Sequence, residues 1–197
     1  MARTAGRSAA ETRRLILDAA ARLISRHGTA VPVSDIAEAA GVSKGGLLYH
    51  FPNKEELLSG LANHLMGQFR HDVEQVAAEE EEGTPGRLTR AYIRVSFAHA
   101  GDLTGLRDYI ALAAHLMFEP GLEALAQQDA QQWREALLDD GLEPTIVRMV
   151  IAAADGSNSA PLWGAILDDA DRDHLEADLI ALTYRDRVQV GSRKTDV

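Results

Sequence analysis

The feature that most constrains this fold is a pair of very short apolar segments, closed by Gly41 and Pro52. In each segment apolar residues recur every three or four positions, which is typical of one face of a helix. A helix as short as residues 44–50 does not persist alone, because nucleation is costly and few backbone bonds offset it. Neighbouring helices must therefore hold both segments in place, and we expect Leu47 and Phe51 to be the inward contacts.

Residues that start and end helices flank these segments. Ser8, with Glu11 three residues later, forms a capping box, which predicts a first helix beginning near position 9, and Gly28 ends it. Asn53 predicts the cap of a fourth helix over residues 54–78. The first three helices are therefore expected to form a compact N-terminal unit.

The rest of the sequence has helical periodicity, and strand patterns are nearly absent. We predict an all-α protein of about nine helices. A helix over 144–167 contains Gly156, Asn158 and Pro161, so it either kinks or divides there. The remaining predicted helices cover residues 87–99, 104–117, 121–139 and 171–187.

Charge is distributed unevenly along the chain. The whole chain has 20 basic and 30 acidic side chains, yet residues 1–54 have eight basic and four acidic ones. A basic region in an acidic chain favours phosphate as a partner, and solvated helix faces are the alternative explanation. The absence of cysteine excludes disulfides and cysteine zinc sites. No apolar run is as long as a membrane span, so we expect a cytoplasmic protein.

Sequence motifs of catalysis and metal binding are missing. The aspartates at 168–173 resemble the start of a calcium loop, but His174 and Ile180 stand where glycine and glutamate are needed. His64 and His71 are two helical turns apart, which is too wide for a chelating pair. No nucleophile elbow, phosphate loop or dinucleotide motif occurs. We therefore predict a protein that is not an enzyme and has neither a metal ion nor a cofactor.

The two short segments, joined by AGVS, have the form of a helix-turn-helix. Gly41 supplies the left-handed turn conformation that a side chain disfavours. Such a unit inserts the N-terminus of its second helix into the DNA major groove, which would put Lys44 near bases and phosphates. Gly45 and Gly46 are poor helix formers, at about 1 kcal/mol each, and would let the backbone approach DNA closely. A small helical hairpin with solvated lysines is the alternative.

The stretch DIAEAAGVSKGGLLYHFPNKEELL, preceded by ETRRLILDAAARLISRHG, closely resembles the N-terminal domain of the TetR family of bacterial transcriptional regulators. The match spans about residues 9–65. Family members often have threonine in place of Pro32, and threonine and tyrosine in place of Gly46 and Leu48, so base readout here would depend on fewer polar side chains. The resemblance implies a DNA-binding domain over residues 1–53, with DNA contacts by Ser34, Ser43, Lys44, Gly45, Gly46, Tyr49, His50 and Lys54.

The resemblance also implies a larger helical domain over residues 54–197, which dimerises and binds an effector. The implied partners are a palindromic operator in double-stranded DNA, an unidentified small molecule that releases it, and a second copy of the chain. Arg148 lies on an apolar helix, and if buried it would need an acidic partner or an anionic ligand. The pocket candidates are Tyr92, Phe97, His99, Tyr109, His115, Met117, Phe118, Trp133 and Arg148.

The last two helices carry the predicted dimer interface. Apolar stripes exposed on terminal helices would be costly in a monomer and self-complementary across a two-fold axis. A helical ligand-binding or interaction protein that does not bind an operator is the alternative to a repressor. The stripe residues are Ile146, Val150, Leu162, Trp163, Ile166, Leu175, Leu179 and Leu182.

Overall fold

The computed structural model describes residues 7–98, 103–160 and 164–191. Every regular element of four or more residues in these ranges is an α-helix, which confirms the all-α prediction. None of the described helices is long and apolar enough to cross a membrane. The helices of the described chain are α1 (Ala9–His27), α2 (Val33–Ala39), α3 (Lys44–His50), α4 (Lys54–Ala77), α5 (Arg87–Ala98), α6 (Leu103–Leu116), α7 (Leu122–Leu138), α8 (Pro144–Ser159) and α9 (Asp169–Gly191).

The chain divides into two compact units. The first contains α1, α2, α3, the part of α4 up to Gly67, and the segment Asp108–Ala126. The second begins at Gln68 and contains the rest of α4, α5, most of α7, α8 and α9. Helices α4, α6 and α7 therefore each contribute residues to both units. The predicted functional division between residues 53 and 54 stays a prediction.

The core of the first unit holds the short helices in place. Leu47 of α3 is fully buried and Phe51, the residue after α3, is 1% exposed, as the sequence pattern predicts. Each buried side chain of this size contributes about 1.5–3 kcal/mol. This tertiary packing replaces the stability that a seven-residue helix lacks by itself. Buried with these two are Ile16, Leu17, Ala19, Ala20, Ile24, Ile36, Ala37, Leu57, Leu58, Leu61, Leu112 and Leu116.

Helix caps in the first unit follow the sequence closely. The backbone N–H of Glu11 donates to the Ser8 hydroxyl at 3.1 Å, and Ser8 N–H donates back to the Glu11 carboxylate at 2.7 Å. The Asn53 side-chain oxygen accepts the N–H of Glu56 at 2.7 Å, which confirms the cap of α4. Pro32 is the N-cap residue of α2 and not its first helical residue, because its ψ of 142° is extended.

Helix α8 is shorter than the predicted helix over 144–167. It ends at Ser159, and residues 164–168 are not helical, so no second helix follows in the described residues before α9. The aspartates that follow start α9 rather than a calcium loop. The Asp168 carboxylate accepts the N–H of Asp171 at 2.8 Å, which caps the first turn of that helix.

A buried arginine organises the second unit. Arg90 of α5 is fully buried and forms a forked hydrogen-bonded ion pair with Glu80, through Nε at 2.9 Å and Nη2 at 2.5 Å. Its Nη1 donates to the Pro85 carbonyl at 3.1 Å and to the Thr183 hydroxyl of α9 at 3.3 Å. The hydrogen bonds from Arg90 hold the pKa of the Glu80 carboxyl below its ordinary value. This network ties α5 and α9 to the loop before α5.

Part of the apolar stripe assigned to a dimer face lies inside the subunit, so the assignment is wrong for Val150 and Leu179. Val150 is fully buried and Leu179 is 4% exposed, because both fill the core of the second unit. Ile146, Leu175 and Leu182 pack against the same core. Leu162 and Trp163 lie outside the described residues. Of the described stripe residues, Ile166 is the exception, at 98% exposed.

Candidate nucleic-acid interface

The turn between α2 and α3 has the geometry that the sequence predicts. Gly41 has a φ of 67°, the left-handed conformation that costs a side chain energy and glycine little. Ser43 follows with extended backbone, and its hydroxyl accepts the N–H of Gly46 at 3.0 Å. The turn and the cap together fix where α3 begins and in which direction its first residues point.

Helix α3 has a buried face and an exposed face. Leu47 and Phe51 belong to the core, whereas Lys44 and Gly45 are exposed and Tyr49 is 83% exposed. A large aromatic ring this exposed is not explained by packing inside the subunit. The helix therefore presents a cation, an uncovered stretch of backbone and an aromatic hydroxyl to solvent on the side away from the core.

The two glycines of α3 have different structural explanations. A Cβ atom at Gly46 would lie 3.2 Å from the Ser43 hydroxyl, so a side chain there would crowd the cap. A Cβ atom at Gly45 would meet nothing within 4 Å. Internal packing therefore leaves Gly45 unexplained, although it lowers helix propensity by about 1 kcal/mol relative to alanine. Close approach of an external molecule to the backbone is consistent with this choice.

The other predicted contact residues flank α3. Ser34 is exposed near the start of α2 and donates its hydroxyl proton to Asp35 at 3.0 Å. Lys54 is half-buried at the first position of α4, where Glu55 and Glu56 share the first helical turn. These two carboxylates reduce the positive potential that the helix dipole and Lys54 would otherwise provide for an anion.

Sequence reasoning missed the role of Arg13 at the end of α3. Its Nη1 atom donates to the His50 carbonyl oxygen at 3.3 Å, and its guanidinium carbon lies 4.2 Å from the centroid of the Phe51 ring. The contacting residues are 37 positions apart, so no local pattern marks the contact. The only signal in the sequence is that Arg13 is one of the basic residues before position 55.

Three of the pocket candidates in the second unit, Tyr92, Phe97 and Trp133, belong to its core. The rings of Tyr92 and Trp133 meet edge to face with centroids 5.3 Å apart, and Phe69 is 5.6 Å from each of them. The Tyr92 hydroxyl donates to the Asp155 carboxylate at 3.0 Å. Phe97 is 6% exposed in the same core. The structure therefore brings Tyr92 and Trp133 into direct contact.

The other pocket candidates do not join this aromatic group within the described residues. Arg148 of α8 is exposed and donates to the Thr145 hydroxyl at 3.1 Å, so it is not a buried cation. His99 lies outside the described residues. No group of three or more possible metal-ligating side chains occurs in the described part of the chain. Four candidates belong to the first unit and are exposed there: Tyr109, His115, Met117 and Phe118.

Two family models match the chain. One, described as "Bacterial regulatory proteins, tetR family", covers residues 16–61 and includes the whole α2–turn–α3 unit. The other, described as "Tetracyclin repressor-like, C-terminal domain", covers residues 86–184. This chain belongs to the TetR family.

Individual relatives of this TetR-family chain are similar over part of their length. The transcriptional regulator BetI of Rhizobium meliloti is 43% identical over 86 residues, which is 43% of this chain and 41% of BetI. The transcriptional repressor LfrR of Mycolicibacterium smegmatis is 39% identical over 113 residues, 57% of this chain and 56% of LfrR. The chain thus spans about half the length of the curated relatives it matches.

A solved structure matches the fold over most of the chain. AibR, crystallised with isovaleryl coenzyme A and operator DNA, superposes with a TM-score of 0.60 at 22% sequence identity. The match covers 85% of this chain and 97% of the AibR chain. At this identity the similarity is one of fold.

Proposed function

We propose that this chain is a transcriptional repressor that binds a palindromic DNA operator as a homodimer and releases it when a small-molecule effector binds. The observation that carries the proposal is the division of α3 into two faces, with Leu47 in the core and Lys44, Gly45 and Tyr49 exposed. A helix held in this way can enter a major groove and set its first residues against base edges. The relatives' names, a transcriptional regulator and a transcriptional repressor, agree with this role.

The proposed contact residues make two kinds of contact with DNA. Lys44, in the first turn of α3, would reach base edges or phosphate, and Gly45 and Gly46 would let the backbone approach the groove. Lys54, at the start of α4, would contact phosphate alone. The remaining proposed contacts are Ser34, Ser43, Tyr49 and His50. In this role the protein would act in the cytoplasm without catalysing a reaction and without a cofactor.

The proposed dimer uses apolar side chains that the second unit leaves exposed. Met149 of α8 is 45% exposed, Ile166 and Leu167 before α9 are 98% and 42% exposed, and Tyr184 of α9 is 42% exposed. Covering these residues with a second copy would remove them from water on both subunits. Light scattering at micromolar concentration without DNA tests the dimer, and a monomeric mass would contradict it.

The proposed effector site centres on the aromatic group of the second unit. Tyr92 and Trp133 supply flat apolar surface, and Asp155 supplies a carboxylate beside the Tyr92 hydroxyl. An effector releases DNA only if it binds the DNA-free arrangement more tightly than the DNA-bound one. By linkage, the operator must then weaken effector affinity by the same factor as the effector weakens operator affinity.

Operator selection tests the proposed function directly. The full chain would be used to enrich duplexes from a random library, and its affinity for the enriched duplex and a scrambled duplex would be measured across a salt series. We expect an enriched palindrome whose affinity falls steeply with salt, because Lys and Arg side chains release counterions from phosphates. Failure to enrich any sequence, with no salt-dependent binding, would favour a helical ligand-binding or interaction protein.

A further inference from the structure

Arg13 of α1 contacts the C-terminal end of α3 at two points. Its Nη1 atom donates a hydrogen bond to the His50 carbonyl oxygen at 3.3 Å. Its guanidinium group also lies over the face of Phe51, with 4.2 Å between the guanidinium carbon and the ring centroid. Phe51 is 1% exposed, so the stacked ring is itself fixed by the core of the first unit. Arg13 is thereby anchored to the residue that ends α3.

A glycine on α4 leaves the space for this arrangement. A Cβ atom at Gly60 would lie 2.5 Å from the Phe51 ring and 3.1 Å from Arg13 Nη2. Glycine in the interior of a helix lowers its stability relative to alanine, so its presence here needs a packing reason. The close approach of α4 to the Phe51 ring supplies that reason. Helices α1, α3 and α4 therefore meet at Arg13, Phe51 and Gly60.

The contact lies next to the exposed side chains of α3. The last carbonyl groups of a helix have no partner within it, and a cation is favoured there by the helix dipole. Arg13 satisfies the carbonyl of His50, and the His50 ring meets the Tyr49 ring edge to face with centroids 5.3 Å apart. A chain of contacts thus runs from Arg13 through His50 to Tyr49, which is 83% exposed.

We propose that Arg13 is a positioning residue for operator recognition: it fixes the end of α3, and with it Tyr49 and His50, without itself neutralising a DNA phosphate. This inference rests on the proposed function of operator binding. The competing role for an exposed arginine in a basic region is a direct phosphate contact. Salt dependence separates the two, because each neutralised phosphate adds about 0.9 to the slope of log affinity against log salt and a positioning residue adds nothing.

The experiment compares Arg13→Met with Arg14→Met in the full chain. Arg14 is the next residue of α1, its side chain is 73% exposed, and its ion-pair partner is Asp18 on the same helix at 4.0 Å. Both variants remove one positive charge from α1, and only one removes the contact with α3. Affinities are measured for the operator selected with the wild-type chain and for a scrambled duplex, from about 50 to 200 mM salt. Thermal melting by circular dichroism checks the fold of each variant.

For Arg13→Met we expect operator affinity to fall about tenfold, since a cation–π contact and a hydrogen bond are both lost. The salt slope should stay at the wild-type value, and affinity for the scrambled duplex should change by less than about twofold. Any effect of Arg14→Met should appear equally on both duplexes. A slope that falls by about one in Arg13→Met, with equal loss on both duplexes, would overturn the proposal in favour of a phosphate contact. Unchanged operator affinity would also overturn it.

Arg13→Lys provides the second test, because it keeps the charge. A lysine ammonium is a point donor and lacks the planar fork that stacks on a ring while donating to a carbonyl. We therefore expect Arg13→Lys to bind the operator almost as weakly as Arg13→Met does. Full recovery of wild-type affinity would mean that charge alone matters, which contradicts positioning. If the wild-type chain itself selects no operator, the proposed function fails, and the role of Arg13 that rests on it fails as well.

Discussion

The carboxylate of Asp140, two residues after α7, caps the N-terminus of α5 through hydrogen bonds with Thr89. One carboxylate oxygen accepts both the N–H and the hydroxyl of Thr89 at 2.7 Å, and the other accepts the N–H of Leu88 at 3.2 Å. Thr89 is fully buried, so its polar groups depend on this partner. A residue about fifty positions away thus performs the role that a local cap performs in other helices.

Asp140→Ala should destabilise the protein by about 2–3 kcal/mol, because it leaves buried donors at the start of α5 unpaired. Urea unfolding followed by circular dichroism at pH 7 measures the loss. Asp139→Ala removes the neighbouring exposed carboxylate and is expected to change stability by less than about 0.5 kcal/mol. Equal stabilities of the two variants would show that the cap contributes nothing.

Gly60→Ala should also destabilise the protein, by about 1–3 kcal/mol, because the new Cβ would lie 2.5 Å from the buried Phe51 ring. Gly67→Ala on the same helix is the matched control. A Cβ there meets nothing within 4 Å, so the better helix propensity of alanine should stabilise the protein by about 0.5–1 kcal/mol. The signs of the two changes in melting temperature should therefore be opposite. A stabilising Gly60→Ala would mean that the ring moves without cost.

Glu80→Gln should lower stability by about 3–5 kcal/mol at pH 7, because it leaves the fully buried Arg90 without its counter-charge. The pKa of Glu80 is lowered in the folded state, so its stabilisation is complete above the ordinary value of 4.5 and is lost as pH falls through the lower folded value. The difference in free energy of unfolding between wild type and variant should therefore become smaller below about pH 4.5. Urea unfolding from pH 7 to pH 3 measures it, with Glu82→Gln as the exposed control. A difference independent of pH would contradict the ionic role.

Glu176→Gln should stabilise the protein at pH 7. Burial, together with the nearby Asp173 carboxylate, raises the pKa of Glu176 above 4.5, and Arg94 offsets this only in part. A raised folded-state pKa means that ionising the group costs stability, so the wild type loses stability as pH rises through that range. The variant should melt higher than wild type at pH 7, and the gain should vanish near pH 4. Asp178→Asn, an exposed change on the same helix, is the control. If Glu176→Gln melts lower than wild type at pH 7, the prediction is wrong.

Local patterns predict most of the helices and the α2–turn–α3 unit, because the causes of these features are local. The Ser8 and Glu11 capping box spans three residues, and the Gly41 turn and the Leu47 burial follow from spacing within a few turns. These signals can be interpreted without knowing which segments, far apart in the sequence, come into contact in the folded structure. The exposed residues of α3 were predictable for the same reason.

Long-range partners were not predictable from the sequence. Arg13 and His50 are 37 residues apart, and Arg90 and Thr183 are 93 residues apart, so nothing in the local composition pairs them. The apolar stripe that contains Val150 and Leu179 is a second case in which the sequence does not identify the contacting surface. Its period correctly predicts a buried face, but periodicity does not say whether the covering surface belongs to the same subunit or to a second copy.

Replacing Lys44 or Lys54, the two lysines at helix starts, with alanine should weaken DNA binding in different ways. Lys54→Ala should lower affinity about equally for the selected operator and a scrambled duplex, and reduce the salt slope by about one, because phosphate is common to every sequence. Lys44→Ala should in addition reduce the preference for operator, by about 1–3 kcal/mol, because a side chain in the first turn of α3 can reach base edges. Arg134→Ala, an exposed change on α7 in the second unit, controls for loss of a positive charge far along the sequence. Fluorescence anisotropy with both duplexes across a salt titration supplies all the affinities. If both lysine variants bind the operator as wild type does at every salt concentration, α3 is not the element that reads DNA.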